Sequence, residues 1–177
     1  MAEIQGLIHI YCGDGKGKTT ATVGLCVRAA GHGRRVLFVQ FLKGDTSGER
    51  AALSALPGVT VAPCPHEIKF TFQMNPQEKQ EAGRLWSDQL RRAVQACREE
   101  PYDLLVLDEI FDAVATGMVQ EEELLAFLRG KPRGLEVALT GRAPGQAFLQ
   151  LADYVSQVQM VKHPYERGVP AREGIEY

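Results

Sequence analysis

The chain has 177 residues, 45% of them hydrophobic and 24% charged, with a net charge of −2 at neutral pH. That is enough for one domain, residues 1–177, with a sizeable core, and the near-neutral balance gives no electrostatic case for nucleic acid or a membrane surface as partner. No apolar run reaches bilayer length, and the start, Met1-Ala2-Glu3-Ile4-Gln5-Gly6, lacks the basic head and apolar core of a secretion signal, so a cytoplasmic protein is expected.

The first apolar run, residues 7–11, reads as a strand, and a helix-like stretch follows at 21–30. Between them lies Cys12-Gly13-Asp14-Gly15-Lys16-Gly17-Lys18-Thr19-Thr20. Strand, glycine-rich loop, Lys-Thr and helix is the build of a phosphate-binding loop. Glycines let the backbone turn tightly and aim its N–H groups inward. The helix start adds partial positive charge at the same point. Lys18 suits a phosphate oxygen, and the Thr19 hydroxyl suits Mg²⁺. Residues Gly13 to Thr20 are therefore expected to bind a nucleoside triphosphate. The usual pattern asks for glycine where this chain has Cys12. Counted from Gly13 the loop is one residue short, so it is expected to cradle phosphates in its own way.

A second strand is predicted over 36–41, a third over 59–61. Gln40 and Lys43 follow the second strand's core and are candidates for reaching the triphosphate, Lys43 because concentrated negative charge needs cations. Residues 44–48 form a polar, glycine-bearing loop, and 63–75 are irregular. Within that segment Phe70-Thr71-Phe72 has two readings. The aromatics line a strand's buried face, which the usual burial of Phe favours, or they wall a site for a flat ligand.

A long helix starts where Asn75 caps it, Pro76 takes the first helical position and Glu78 completes a capping box. Ala82, Leu85, Trp86, Leu90, Ala93, Val94 and Cys97 then recur at three- and four-residue steps, a core stripe that includes Trp86. Residues 104–107 read as a strand ending in Asp108-Glu109, a place where a carboxylate holds Mg²⁺ opposite Thr19. The residues alone leave open which of the two ligates. A second helix is predicted over 121–129, with three glutamates in its first turn. A strand at 137–139 leads to Thr140-Gly141-Arg142, which makes Arg142 a further triphosphate candidate. A last strand is predicted over 154–161, and 168–177 reads as a tail without regular structure.

Near-continuous apolar strands alternating with helices indicate a parallel sheet covered on both faces, with right-handed crossovers. Ligands then bind beyond the carboxyl ends of the strands, where the informative residues sit. Cys12, Cys26, Cys64 and Cys97 form no CxxC pair, which disfavours zinc and disulfides. Cys26 and Cys97 read as core residues, and packing is the favoured role of Cys12. His9, His32, His66 and His163 lack ligand spacing.

Together the loop, Val39-Gln40-Phe41-Leu42-Lys43-Gly44, Gly48-Glu49-Arg50, Val106-Leu107-Asp108-Glu109, Thr140-Gly141-Arg142, Leu151-Ala152-Asp153, Val161-Lys162-His163 and the closing Gly168-Val169-Pro170-Ala171-Arg172-Glu173-Gly174-Ile175-Glu176-Tyr177 carry a resemblance. The chain resembles the ATP:corrinoid adenosyltransferases of the CobA/CobO/BtuR family over nearly its whole length. The resemblance implies a P-loop NTPase-like (RecA-like) three-layer α/β fold with a mostly parallel sheet of about six strands. It implies transfer of the 5′-deoxyadenosyl group of ATP to a Co(I) corrinoid, with tripolyphosphate as the other product and ATP reversed relative to ordinary P-loop enzymes. Lys18, Thr19 and Glu109 are the expected catalytic residues. Thr19, Asp108 and Glu109 are the expected ligands of Mg²⁺, or of Mn²⁺ in its place. Phe70 and Phe72 match an aromatic pair that lies against the corrin and excludes its lower axial ligand; some relatives carry Trp where this chain has Phe72. A homodimer and a flavodoxin-like reductase as electron donor are also implied. Longer relatives have an N-terminal segment over the active site, whereas this sequence begins a few residues before its first strand. The competing readings are a kinase or NTPase acting at the γ-phosphate, with Glu109 as base, and a non-catalytic corrinoid carrier.

Overall fold

The computed structural model describes residues 5–66, 68–69 and 71–176. Its strands are β1 (Ile8–Cys12), β2 (Val36–Gln40), β3 (Val59–Val61), β4 (Leu104–Asp108), β5 (Glu136–Thr140) and β6 (Tyr154–Gln157). Its α-helices are α1 (Lys18–Gly31), α2 (Gly48–Ser54), α3 (Pro76–Glu99), α4 (Ile110–Ala115), α5 (Glu121–Arg129) and α6 (Gln146–Leu151). The strands form one sheet in the order β3-β2-β4-β5-β1-β6, and each neighbouring pair is parallel. The expected parallel sheet of six strands is thus present.

Side chains alternate across the sheet, so each strand feeds two cores. Leu37, Val39, Leu105, Leu107, Val137 and Leu139 face one side with Trp86, Leu90, Leu124 and Phe148 from the helices there. Val36, Phe38, Leu104, Val106 and Ala138 face the other, with Cys26 of α1 and Leu53 of α2. Two cores separated by one sheet make three layers. Both faces being buried explains why β2 and β4 are apolar at nearly every position.

α3 starts as its sequence requires. The Asn75 side chain accepts from the Glu78 N–H at 2.9 Å, and the Glu78 carboxylate accepts from the Asn75 N–H at 2.9 Å. Trp86 is buried and tilts against Phe41 at 5.9 Å between ring centroids. α5 covers the expected span.

The last predicted strand is corrected at its end. The ladder stops at Gln157, and the chain then bends onto the glycine-rich loop: the Val158 N–H donates to the Cys12 carbonyl at 2.7 Å, and the Gly15 N–H to the Val158 carbonyl at 2.9 Å. Beyond Gln157 the alternating apolar residues hold a loop instead of a neighbour strand.

Candidate active site

β1 delivers the chain into the loop, and α1 takes it away. Gly13 has φ +108°, and a Cβ there would lie 2.3 Å from the Val158 carbonyl oxygen. Only glycine lets the loop and the 158–160 segment approach so closely. Gly17, just before α1, has φ +121° with open space around it, so its glycine serves conformation alone. The Asp14 carboxylate accepts from the Met160 N–H at 2.9 Å, fixing the loop's outer edge. Among the described residues, the backbone N–H groups from Lys16 to Thr20 have no acceptor. They form a cluster of donors at a helix start, suited to an anion. Lys18 curls back so that its ammonium donates to the Gly15 carbonyl at 2.8 Å.

β4 ends opposite. Asp108 is fully buried and collects donors from three elements. The Thr19 hydroxyl donates at 3.0 Å, the Gln40 amide at 3.1 Å, and the Thr140 hydroxyl at 2.8 Å. Glu109 follows in the left-handed region with φ 60°, strain that a non-glycine residue adopts where its surroundings hold it. Its N–H donates to the Thr140 oxygen at 2.7 Å. That twist turns Glu109 toward Lys43, whose ammonium lies 3.1 Å from Glu109 and 3.6 Å from Asp108. Leu42 is also left-handed, with φ 56°, immediately before Lys43. Two strained strand exits thus converge on one ion cluster.

Burial raises the Glu109 pKa above the usual carboxylate range; the Lys43 charge opposes this, and the Asp108 charge adds to it. Burial would lower the Lys43 pKa, but Glu109 and Asp108 overcome it, and the pKa is raised. Lys43 therefore stays an ammonium. Cys12, at the base of the loop, has a thiol pKa raised by burial, which Lys18 only partly offsets. Cys26 and Cys97 are pushed up to about 12, chiefly by burial. These cysteines are packed thiols, as the sequence reading favoured.

A cavity of about 770 Å³ lies above these groups and is lined by residues 14–20, Lys43, Glu109, Arg142 and the turn at 174–176. Thr20 and Lys16 face it as well. Gln40 is not on its wall: it is fully buried, donates to Glu49 at 2.9 Å, and holds Asp108 from beneath. Arg142 stands at the rim with an exposed side chain, its N–H donating to Asp112 at 3.1 Å. Phe72 sits on a short 3₁₀ turn, Thr71–Gln73, and is 79% exposed, so core packing is not its place. Phe70 lies outside the described residues. The segment before that turn is tied to the Lys43 loop, since His66 pairs with Asp45 at 2.8 Å.

Thr140 and Glu176 stand in motifs that carry the resemblance, but the sequence assigns neither of them a role in the site. A polar residue ending the strand beside the acid-bearing one is the signal for Thr140, visible only once strand order is known. Glu176 lies in a tail with no periodicity to read.

A sequence profile of the ATP:corrinoid adenosyltransferase BtuR/CobO/CobP family matches residues 4–177. A corrinoid adenosyltransferase of Escherichia coli is 36% identical over 186 residues, spanning 98% of this chain and 86% of that protein. The corrinoid adenosyltransferase CobA of Salmonella typhimurium is 36% identical over 188 residues, spanning 99% of this chain and 87% of that protein. Among solved structures, a KaiC-like protein from Pyrococcus horikoshii OT3 aligns with a TM-score of 0.53 at 17% identity, over 90% of this chain and 75% of that one. That likeness concerns the fold alone, and it agrees with a RecA-like α/β architecture.

Proposed function

The chain belongs to the ATP:corrinoid adenosyltransferase BtuR/CobO/CobP family, and from that premise we propose how its site works. The enzyme transfers the 5′-deoxyadenosyl group of ATP to the Co(I) centre of a corrinoid. The Co–C5′ bond forms as the C5′–O bond breaks, and the electron pair leaves on tripolyphosphate. The corrinoid brings its own nucleophile. The protein's tasks are to align C5′ with cobalt and to stabilise the leaving charge.

The donor-rich loop carries this reading: a run of free N–H groups beside Lys18, opposite a buried Asp108. Lys18 exchanges the Gly15 carbonyl for a triphosphate oxygen, and the amides of Lys16 to Thr20 donate to the same group. Gly13, Asp14 and Gly15 shape the loop. Lys16, Lys43 and Arg142 add positive charge around the cavity, while Gln40 acts from beneath by fixing Asp108. Thr19, Asp108 and Glu109 are hard oxygen donors, the chemistry Mg²⁺ or Mn²⁺ takes. The Thr19 hydroxyl and Asp108 carboxylate already meet at 3.0 Å, so the residues present fit the ion. When bound, that ion neutralises charge on phosphate oxygens. Phe70 and Phe72 supply an apolar wall for the corrin.

Residues 1–177 act as one domain, in the cytoplasm, as a homodimer whose corrinoid substrate is reduced to Co(I) by a flavodoxin-like donor. Among the described residues no helix is long and apolar enough to cross a membrane. The test is turnover with ATP, Mg²⁺ and chemically reduced cobalamin, read by visible spectrum and product analysis. Adenosylcobalamin with stoichiometric tripolyphosphate is expected. Lys18→Ala is expected to lower turnover by about 10²–10³, the scale of losing one charge-stabilising donor. ADP or orthophosphate with unchanged corrinoid overturns the assignment.

A further inference from the structure

The turn at 172–176 closes on itself and then onto the phosphate loop. Arg172 donates to the Glu176 carboxylate from its backbone N–H at 2.8 Å, from Nε at 3.1 Å and from Nη2 at 3.0 Å. Gly174, with φ +73°, makes the tight reversal between them. The Ile175 and Glu176 N–H groups both donate to the Arg172 carbonyl, at 3.2 and 2.9 Å. The turn is thus a preformed unit. Its carboxylate reaches across the cavity mouth, and the Lys16 ammonium donates to Glu176 Oε1 at 2.9 Å. Gly174, Ile175 and Glu176 share the cavity wall with the phosphate loop.

Lys16 is the first of the two lysines of a loop whose N–H groups await an anion. The carboxylate that meets it belongs to the protein's own tail. We infer that Glu176 is an exchangeable anion on Lys16: the triphosphate displaces it on binding, and Glu176 reclaims the lysine as tripolyphosphate leaves. Glu176 is a positioning residue acting through Lys16. The inference rests on the triphosphate reading of the cavity.

Physical scale supports exchange. An ion pair on an accessible lysine is weak, whereas a polyphosphate offers several charge-assisted bonds to the same loop. The Arg172 guanidinium, with Lys16, holds the Glu176 carboxyl well below the usual carboxylate range, so Glu176 competes as an anion at every pH where the enzyme works. Arg172 keeps the displaced carboxylate neutralised, so leaving Lys16 does not expose a lone charge. The device has its use after chemistry. Tripolyphosphate carries more charge than the triphosphate ester of ATP, and a loop built to stabilise it holds it tightly. A tethered competitor hastens its departure.

The experiment compares wild type with Glu176→Gln. Inorganic tripolyphosphate with Mg²⁺ is titrated calorimetrically into each. Turnover gives KM for ATP, kcat and inhibition by tripolyphosphate. Hydrogen exchange follows the amides of 172–176 in wild type. Glu176→Gln is expected to bind tripolyphosphate about two- to fivefold tighter, the worth of one exposed ion pair. KM for ATP falls, product inhibition strengthens and kcat does not rise. In wild type the 172–176 amides lose protection when tripolyphosphate is added. Unchanged or weaker binding by Glu176→Gln, or unaltered tail exchange in wild type, overturns the inference while leaving the triphosphate reading intact. Wild type that takes up no tripolyphosphate overturns both.

Discussion

Thr140 Oγ1 is one atom serving two neighbours. It donates to Asp108 at 2.8 Å and accepts from the Glu109 N–H at 2.7 Å. Thr140→Val keeps the shape and removes both bonds, leaving a buried carboxylate one donor short and an N–H unpaired. A loss of about 1–3 kcal/mol is expected in chemical denaturation, with turnover reduced, and Thr140→Ser restores both. Lys43 gives a pH-dependent case. Glu109 has a folded pKa raised above its unfolded value, so this group favours the folded state most in acid, and that contribution is lost as pH rises through the folded pKa. Lys43 lessens the loss by favouring the carboxylate. Lys43→Met is therefore expected to destabilise by about 2 kcal/mol at pH near 8, between exposed and buried ion-pair values, and by clearly less below pH near 4. Equal losses at both pH values contradict the assignment. At this scale the sequence was informative where residue type and motif coincide, as at Lys18, Thr19 and Asp108. It was silent on Gln40 turning beneath Asp108, because burial and direction depend on neighbouring strands.

At the scale of elements, α3 shows what local rules can do. The cap, the proline and the apolar stripe of this 24-residue helix agree on one structure. Asn75→Ala should cost about 1 kcal/mol of stability, measured by thermal or chemical unfolding. Glu78 has its carboxyl pKa held low, first by the Lys69 hydrogen bond and then by the Asn75 N–H, so the capping contribution is full above the ordinary carboxylate pKa and fades as pH falls through the lowered value. The helices not foreseen are α2, α4 and α6, of 7, 6 and 6 residues. Periodicity needs windows of about 11–18 residues, so helices under two turns leave no readable stripe. β6 erred the other way. Alternation persists beyond Gln157, but it is the phosphate loop that takes the backbone bonds there.

For the molecule as a whole, the parallel class of the sheet was legible from near-continuous apolar runs, since burial on both faces leaves that mark. Strand order was not, because it is set by which crossovers pack best and has no local signature. That order assembles the site: β5 lies between β1 and β4, and Thr140 consequently stands between phosphate loop and acids. A ligand bridging loop and acids binds the folded chain alone. Tripolyphosphate with Mg²⁺ at about 100 times its dissociation constant should add about 2.7 kcal/mol to stability, a rise in Tm of roughly 5–11 °C for a chain of this size. Lys18→Ala should remove most of that rise, and a rise that survives the substitution would place the anion elsewhere.

The same strand order has a consequence for synthesis. The phosphate loop and Asp108 both emerge from the ribosome before residues 136–140 do. β1 pairs only with β5 and β6 among the described strands, so until β5 is made no strand pairing links β1 to the acid strand, and only the packing of α1 and the Thr19–Asp108 hydrogen bond hold loop and acid together. A chain that ends near residue 130 owns every nucleotide-binding side chain except Arg142 and still lacks the strand that sets the spacing of loop and acids. ATP is therefore expected to stabilise the finished sheet far more than the early intermediate.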